Sequence, residues 1–403
     1  MAEPPLRLIR LSTENCLAHR LVLATLTGCS VHISQIRPNS PTNPGLAPHE
    51  ISFLRLLEAV TNGSHIEISY TGTTLVYKPG LITGSSPGSG ASEGVIRHEL
   101  PAACARGVSY FLIPLCLLAP FSKAPISVLF TGLGVITSST QTGDLSVDTV
   151  RTAILPLYAQ FGITNNIELK VLQRSNSGRG GKGGAGEVQL NFGHQVRLPK
   201  TIHSLNPGIV RRIRGVAYCT GVSSSNNARM IEAARAVLNP LTLDTYIFSD
   251  VSPAPPTPKS ERNSSAQRRK LGLGFGLALV AESSTGSLYS ADAVSPPLGG
   301  IPPDDIGRRC AYQLLESIHI GGSVSMTAVS TVLTLMSMGS EDVGRVHLSR
   351  DVFGSEHVVE LARDLKKFGA SGWGIREADR GSIGDVVISL IGKGVGNVGR
   401  KIS

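Results

Sequence analysis

Residues 94–131 have the sequence GVIRHELPAACARGVSYFLIPLCLLAPFSKAPISVLFT. This stretch predicts a unit of strands and a helix, and the same kinds of element are predicted elsewhere in the chain. The beginning of the unit predicts a strand over 94–100, and its end predicts a second strand over 126–131. The apolar run between them predicts a buried helix that ends at Leu118. This run contains Pro114 and is too short to span a bilayer, so no membrane partner is expected.

The same kinds of element occur before and after this unit. A set of two helices and a few strands occurs three times along the chain. This order indicates an α/β (α+β) fold built from three repeats of two helices on a small sheet. Besides the unit at 94–131, the predicted elements are helices at about 14–26 and from Pro48, strands at 31–36, 66–68 and 74–77, a helix at about 146–161, strands at 167–172 and 187–192, helices at about 304–318, 325–338 and 356–368, and strands near 374 and at 385–391.

A different order of elements lies inside this pattern. A strand at 213–220, a helix at 225–238, a strand at 243–250 and a hairpin at 274–281 and 286–293 predict an inserted β-α-β-β-β subdomain. The segment around 251–271 is rich in proline, serine and charge, which predicts a mobile loop. We therefore expect a main domain at 1–187 and 296–403 and an inserted subdomain at 188–295.

The composition favours a nucleic-acid partner. The chain has 403 residues, with 38 lysines and arginines against 29 acids and a net charge of +9, and such a balance attracts polyanions. The single tryptophan and the 5% aromatic content argue against an aromatic-rich stacking surface. Six scattered cysteines, without a C-x-x-C pair, predict reduced thiols in the cytosol or nucleus.

The glycine-rich segments do not predict a cofactor. In the segment 178–186, Lys182 is followed by Gly183, whereas a phosphate-binding Walker loop needs serine or threonine there and a helix behind it. The histidines are scattered singly, so no metal site is predicted either.

Two basic clusters are the candidate binding residues. The first is Arg211-Arg212-Ile-Arg214, in which Arg212 and Arg214 lie on one face of a predicted strand. Phosphate contact is its favoured use, and a solvated basic face is the alternative.

The second cluster is Arg363-Asp364-Leu-Lys366-Lys367 on a predicted helix, where Arg363 and Lys366 are one turn apart. Cations with a carboxylate beside them could bind RNA or even cleave it. Arg363, Asp364 and Lys366 are therefore weak catalytic candidates. The alternative is an ion-paired surface helix with Glu360 as the partner.

Four segments together resemble the RNA 3′-terminal phosphate cyclase family. They are IRP at 36–38 with NPGLAPH at 43–49, FTG at 130–132 with DLSVD at 144–148, LPL at 155–157 with FGI at 161–163, and GGAGEV at 183–188. The repeat plan with its insertion is similar too, and the likeness covers essentially the whole chain.

Within the family, the chain is most similar to the cyclase-like branch of eukaryotic ribosome biogenesis. The segments that carry this are RIRGVAY at 212–218, ARMIEAARAVLN at 228–239, GFGLALVAES at 274–283 and DIGRR at 305–309. The resemblance implies a nucleolar component of the small-subunit processome, required for the early pre-rRNA cleavages that lead to 18S rRNA. It also implies contact with pre-rRNA, a small nucleolar ribonucleoprotein and a large ribosome-assembly GTPase.

Several segments depart from the pattern of a working cyclase, which is adenylylated on a histidine near its C-terminus. His347 is the positional candidate, but the continuation typical of the family is absent. The glycine-rich opening is replaced by STENCLAH at 12–19, and the Asp-Gln pair of a late helix by SVSMT at 323–327. Nucleotidyl transfer needs a nucleophile and groups that place ATP, so these losses argue against catalysis.

The resulting expectation is a non-catalytic assembly factor without cofactors, located in the nucleus and nucleolus. Three alternatives remain: an ATP-dependent RNA 3′-phosphate cyclase that uses His347, an endoribonuclease that cuts pre-rRNA, and a protein adaptor without RNA contact.

Overall fold

The computed structural model describes residues 8–85, 94–164, 166–256, 271–370, 372–379 and 381–396. The first repeat is a four-stranded sheet of order β1-β2-β5-β4 with two helices. Its elements are β1 (Leu8–Ser12), α1 (Leu17–Thr27), β2 (Ser30–Ser34), α2 (Pro48–Val60), β3 (Thr61–Asn62), β4 (His65–Ile68), β5 (Leu75–Lys78) and β6 (Leu81–Ile82). Helix α1 ends because Gly28 adopts a left-handed conformation with φ of 67°.

The second repeat has the same plan, with the sheet order β7-β8-β10-β9. Its elements are β7 (Ile96–Glu99), α3 (Ser109–Leu118), β8 (Ile126–Thr131), α4 (Val147–Thr149), α5 (Leu157–Gln160), β9 (Ile167–Gln173) and β10 (Glu187–Phe192). The helix predicted at 146–161 is present but irregular, because a π-helical turn at Val150–Ile154 and then Pro156, which has no N–H to donate, interrupt its α-helical hydrogen bonds.

The third repeat begins with β11 (His203–Ser204) and is then interrupted by another sheet, of order β13-β12-β14-β15. The elements of this insertion are β12 (Val210–Thr220), α6 (Ser225–Leu238), β13 (Thr245–Ser252), β14 (Gly274–Ser283) and β15 (Leu288–Val294), followed by α7 (Pro303–Ile320). The predicted β-α-β-β-β order is therefore confirmed. Residues 257–270 of the predicted loop lie outside the described residues, and Val251 and Ser252 belong to β13.

The third repeat resumes after α7 and completes a sheet of order β11-β16-β18-β17. Its remaining elements are α8 (Val329–Met338), β16 (Val343–Leu348), α9 (Arg350–Phe353), α10 (Glu356–Lys367), β17 (Trp373–Glu377) and β18 (Val386–Ile391). In all three repeats the first two strands pair in parallel and the other neighbours pair antiparallel. The fold class predicted from the sequence is confirmed.

Two hydrophobic cores lie in the described part of the chain. One runs through all three repeats, and the other joins the inserted sheet to α6 and α7. The two helices pack closely at Gly307, where a Cβ would stand 2.4 Å from the carbonyl oxygen of Met230. Because β10 belongs to the second sheet and α7 to the second core, we propose that the inserted unit runs from about residue 210 to 320 rather than over 188–295.

Candidate nucleic-acid interface

Two arginines of β12, Arg212 and Arg214, lie on one face of the inserted sheet, and both form exposed ion pairs. The Nε atom of Arg212 donates to Oε2 of Glu282 at 2.8 Å. Arg214 donates from Nη1 and Nη2 to the two oxygens of Asp244, at 2.7 and 3.1 Å. These hydrogen bonds hold the pKa of the Asp244 carboxyl below its usual value. Exposed pairs contribute little stability, so a phosphate can compete for either guanidinium.

Arg211 differs from its two neighbours in the cluster. It is exposed and forms no ion pair with any residue that the structure describes. Its guanidinium is therefore available to an anion without the loss of an existing contact.

Arg214 also lines a cleft of about 410 Å³ between the inserted sheet and the second repeat. Arg174 lies there, just after β9. Its Nη1 atom is 2.6 Å from Oδ2 of Asp148, and its Nε atom is 2.5 Å from Oδ2 of Asp250 on β13. Its guanidinium carbon also lies 5.0 Å from the centre of the Tyr218 ring. Arg174 thus ties the second repeat to the insertion.

Burial alone would lower the pKa of Arg174, but Asp148 and Asp250 raise it above its ordinary value. The Arg174 guanidinium therefore stays protonated and is held between these two carboxylates. No sequence pattern pointed to this residue, because Arg174 is an isolated arginine whose two acidic partners are distant in the chain. At the rim of the cleft, Arg151 donates to Oδ1 of Asp148 at 2.8 Å and keeps 40% of its side chain exposed.

Two aromatic rings lie beside this cleft. Tyr246 and Phe248 of β13 are 57% and 55% exposed, and their centroids are 4.6 Å apart in an edge-to-face arrangement. Tyr246 is the register partner of Arg214, so both side chains lie on the same face of the sheet. The low aromatic content of the whole sequence did not predict this pair. The alternation in TYIFSD at 245–250 places both rings on one face and could have revealed it.

The second basic cluster does not bring its three catalytic candidates together. Asp364 is buried, and its Oδ2 atom accepts from Nε of Arg20 on α1 at 2.7 Å. Arg363 and Lys366 are exposed and border an apolar groove with Trp373.

The remaining members of this helix are placed differently from expectation. Lys367 is exposed, and its Nζ atom is 4.0 Å from Oδ1 of Asp364. The predicted ion-pair partner Glu360 instead accepts from Nδ2 of Asn15 at 3.3 Å. Asp364 therefore has a structural contact that is sufficient to explain its presence.

His347, the candidate nucleophile, lies in β16 with 2% exposure. Its Nε2 atom is 3.2 Å from Oδ2 of Asp385, whose other oxygen accepts from the backbone N–H of Arg350. The backbone at Gly381 covers the ring, because a Cβ there would stand 3.0 Å from Nε2. Ser323, in one of the departing segments, donates its hydroxyl to the carbonyl oxygen of His347 at 3.0 Å.

The described residues contain no cluster of three or more His, Cys, Asp or Glu side chains suited to a metal ion. Within the same part of the chain, no helix has the length and apolar character needed to cross a membrane.

Comparison with known proteins gives consistent matches. The profile of the RNA 3′-terminal phosphate cyclase family matches residues 10–372. The chain is 40% identical over 359 residues to the RNA 3′-terminal phosphate cyclase-like protein of Mus musculus, covering 88% of this chain and 86% of the relative. It is 38% identical over 393 residues to the rRNA processing protein rcl1 of Schizosaccharomyces pombe, covering 96% of each. The rRNA processing protein RCL1 of Saccharomyces cerevisiae is 35% identical over 385 residues, or 95% of each chain.

Proposed function

Because the chain belongs to the RNA 3′-terminal phosphate cyclase family, we propose that it acts in rRNA processing as a ribosome-assembly factor and not as a cyclase. The two yeast relatives are named for rRNA processing, and the mammalian one is named cyclase-like. The family likeness drawn from the four sequence segments is confirmed by the match over 10–372.

The observation that carries the proposal is the environment of His347. A histidine that takes up a nucleotide must meet the α-phosphate of ATP with a free ring nitrogen. Here the Nε2 atom is engaged by Asp385, and the backbone at Gly381 lies against it. The Nδ1 atom has no hydrogen-bond partner among the described residues, but it is buried, as is the whole ring, so neither nitrogen is open to a nucleotide in this conformation.

The finer proposal concerns the place of action. We infer that the protein supports the early pre-rRNA cleavages that lead to 18S rRNA, within the small-subunit processome of the nucleolus. Its partners are pre-rRNA with a small nucleolar ribonucleoprotein and a large ribosome-assembly GTPase. Arg211, Arg212 and Arg214, or Arg363, Lys366 and Lys367, supply the contacts. The exposure of these side chains supports this assignment.

The first test is chemical. Purified protein is mixed with α-labelled ATP and an RNA that ends in a 3′-phosphate, with a working cyclase as the positive control. We expect no protein-bound AMP, no cyclised end and intact RNA. An adduct that disappears in His347→Gln would identify a cyclase, whereas cleaved RNA would favour the endoribonuclease.

The second test is cellular. Depletion of the protein is expected to lower 18S rRNA and to accumulate its uncleaved precursors, as measured by hybridisation. His347→Gln should restore processing as well as the parent does. Normal 18S rRNA after full depletion would remove the proposed function.

A further inference from the structure

The exposure of Tyr246 and Phe248 requires an explanation. Most tyrosines and phenylalanines in the described residues are buried, and large rings left in water lose the free energy that burial provides. These two are adjacent on one face of β13, an outer strand of the inserted sheet. They lie beside the cleft at the second repeat, since Phe248 lines it.

Three arginines lie near this pair of rings. Arg214 is opposite Tyr246 in the β12–β13 pairing, and Arg212 is two residues before Arg214 on the same face of β12. Arg151 lies at the rim of the same cleft. All three are ion-paired and partly exposed, at 49% for Arg212, 36% for Arg214 and 40% for Arg151. A guanidinium has five N–H donors, so each can take a phosphate oxygen in addition to its carboxylate.

We propose that Tyr246 and Phe248 form a platform on which bases of single-stranded RNA stack, with Arg151, Arg212 and Arg214 at the phosphates. The two ring planes are at 78° to each other, so each ring has a face of its own to offer to a base. A duplex keeps its base faces covered, whereas an unpaired strand presents them to aromatic side chains. The inference rests on the proposed role in rRNA processing and names the form of RNA that is bound.

The charge of the cleft favours contact near its rim rather than at its floor. Asp148 and Asp250 share the single buried guanidinium of Arg174, so the floor carries one net negative charge, which disfavours a phosphate there. The side chains that can meet phosphates are therefore the exposed ones next to the two rings.

The test measures binding of the purified full-length protein to a labelled oligouridine of about ten nucleotides, by fluorescence anisotropy. The variant Tyr246→Ala/Phe248→Ala is expected to bind about tenfold more weakly for each ring removed. The exchange Tyr246→Phe/Phe248→Tyr keeps both rings and should bind like the parent. Tyr70→Ala, which removes a fully exposed ring from the β4–β5 turn, is the matched control and should change nothing.

Equal binding by the parent and the double alanine variant would overturn the platform. So would a duplex of the same length that binds as tightly as the single strand. Alternatively, the double alanine variant keeps its RNA affinity, while a protein that co-purifies with the parent in pre-ribosomes no longer co-purifies with the variant. In that case the surface binds a protein, and the proposal fails. None of these outcomes depends on the 18S rRNA measurement, so the platform and the proposed function can fail separately.

Discussion

Arg20 and Asp364 form a buried ion pair between α1 and α10, although 344 residues separate them in sequence. Their side chains are 9% and 5% exposed, and the Nε–Oδ2 distance is 2.7 Å. The pair connects the first repeat to the third. The pair also argues against a catalytic interpretation of the Arg363–Lys367 cluster, because the Asp364 carboxylate beside the cations points inward to another helix.

Loss of this carboxylate should destabilise the protein. Asp364→Ala leaves the buried Arg20 with only two backbone carbonyl acceptors and no carboxylate, which costs about 3–5 kcal/mol of unfolding free energy. Arg363→Ala, at the adjacent exposed position, should cost less than about 0.5 kcal/mol. Chemical denaturation of both variants measures the difference, and equal stabilities would contradict a structural role.

A double substitution separates structure from catalysis. Arg20→Met/Asp364→Leu replaces the buried pair with apolar side chains, a change that is often neutral once both charges are removed. We expect it to recover part of the lost stability and to restore 18S rRNA in depleted cells. If the double variant is stable but pre-rRNA is still not cleaved in these cells, the result would support a role of Asp364 in a nuclease site.

Arg174 should govern the attachment of the inserted unit to the second repeat. Arg174→Met leaves the buried Asp148 carboxylate with only Arg151 and is expected to cost about 3 kcal/mol or more. Arg151→Ala keeps the buried pair and should cost about 1 kcal/mol or less. Thermal unfolding of both variants checks this order, and the reverse order would place the main contact at Arg151.

Charge reversal on β12 should weaken RNA binding and its dependence on salt. Arg211→Glu/Arg214→Glu is expected to reduce the slope of log affinity against log salt by about 0.7 for each lost phosphate contact. Arg229→Glu reverses an exposed arginine on α6 that pairs with Asp304, and it serves as the control. Identical slopes for the three proteins would show that β12 does not meet phosphates.

Acid should destabilise the fold through three histidines. Burial lowers the pKa of His19, His49 and His98 to about 4, with nearby positive groups adding to the effect. The unfolded chain takes up these protons near pH 6.5 and the folded chain only near pH 4. Unfolding free energy therefore falls between these values as pH drops, by up to about 1.4 kcal/mol per pH unit for each histidine.

The titration can be assigned to one residue. His19→Gln should flatten the dependence of unfolding free energy on pH between these limits. A slope that is the same in His19→Gln and in the parent would assign the acid sensitivity to other groups.

Much of the fold followed from local sequence. Strands 126–131 and 187–192 and helix 225–238 agree with β8, β10 and α6 because their hydrophobic period and flanking turns are clear. The packing of α7 in the second core could not be predicted from local sequence. The apolar face of a helix shows that it is buried, but it does not show which sheet or helix it packs against. The same holds for Asp364 and Arg174, whose partners are remote in sequence.

The two-residue strand β11 has a consequence for the order of folding during synthesis. His203 of β11 pairs with Arg345 of β16, and the whole inserted unit lies between them. The third sheet cannot close until the ribosome has released that intervening chain, whereas the first two sheets draw on residues made earlier. Nascent chains that end before β16 should therefore protect the first two repeats from protease while β11 and its neighbours remain open to cleavage.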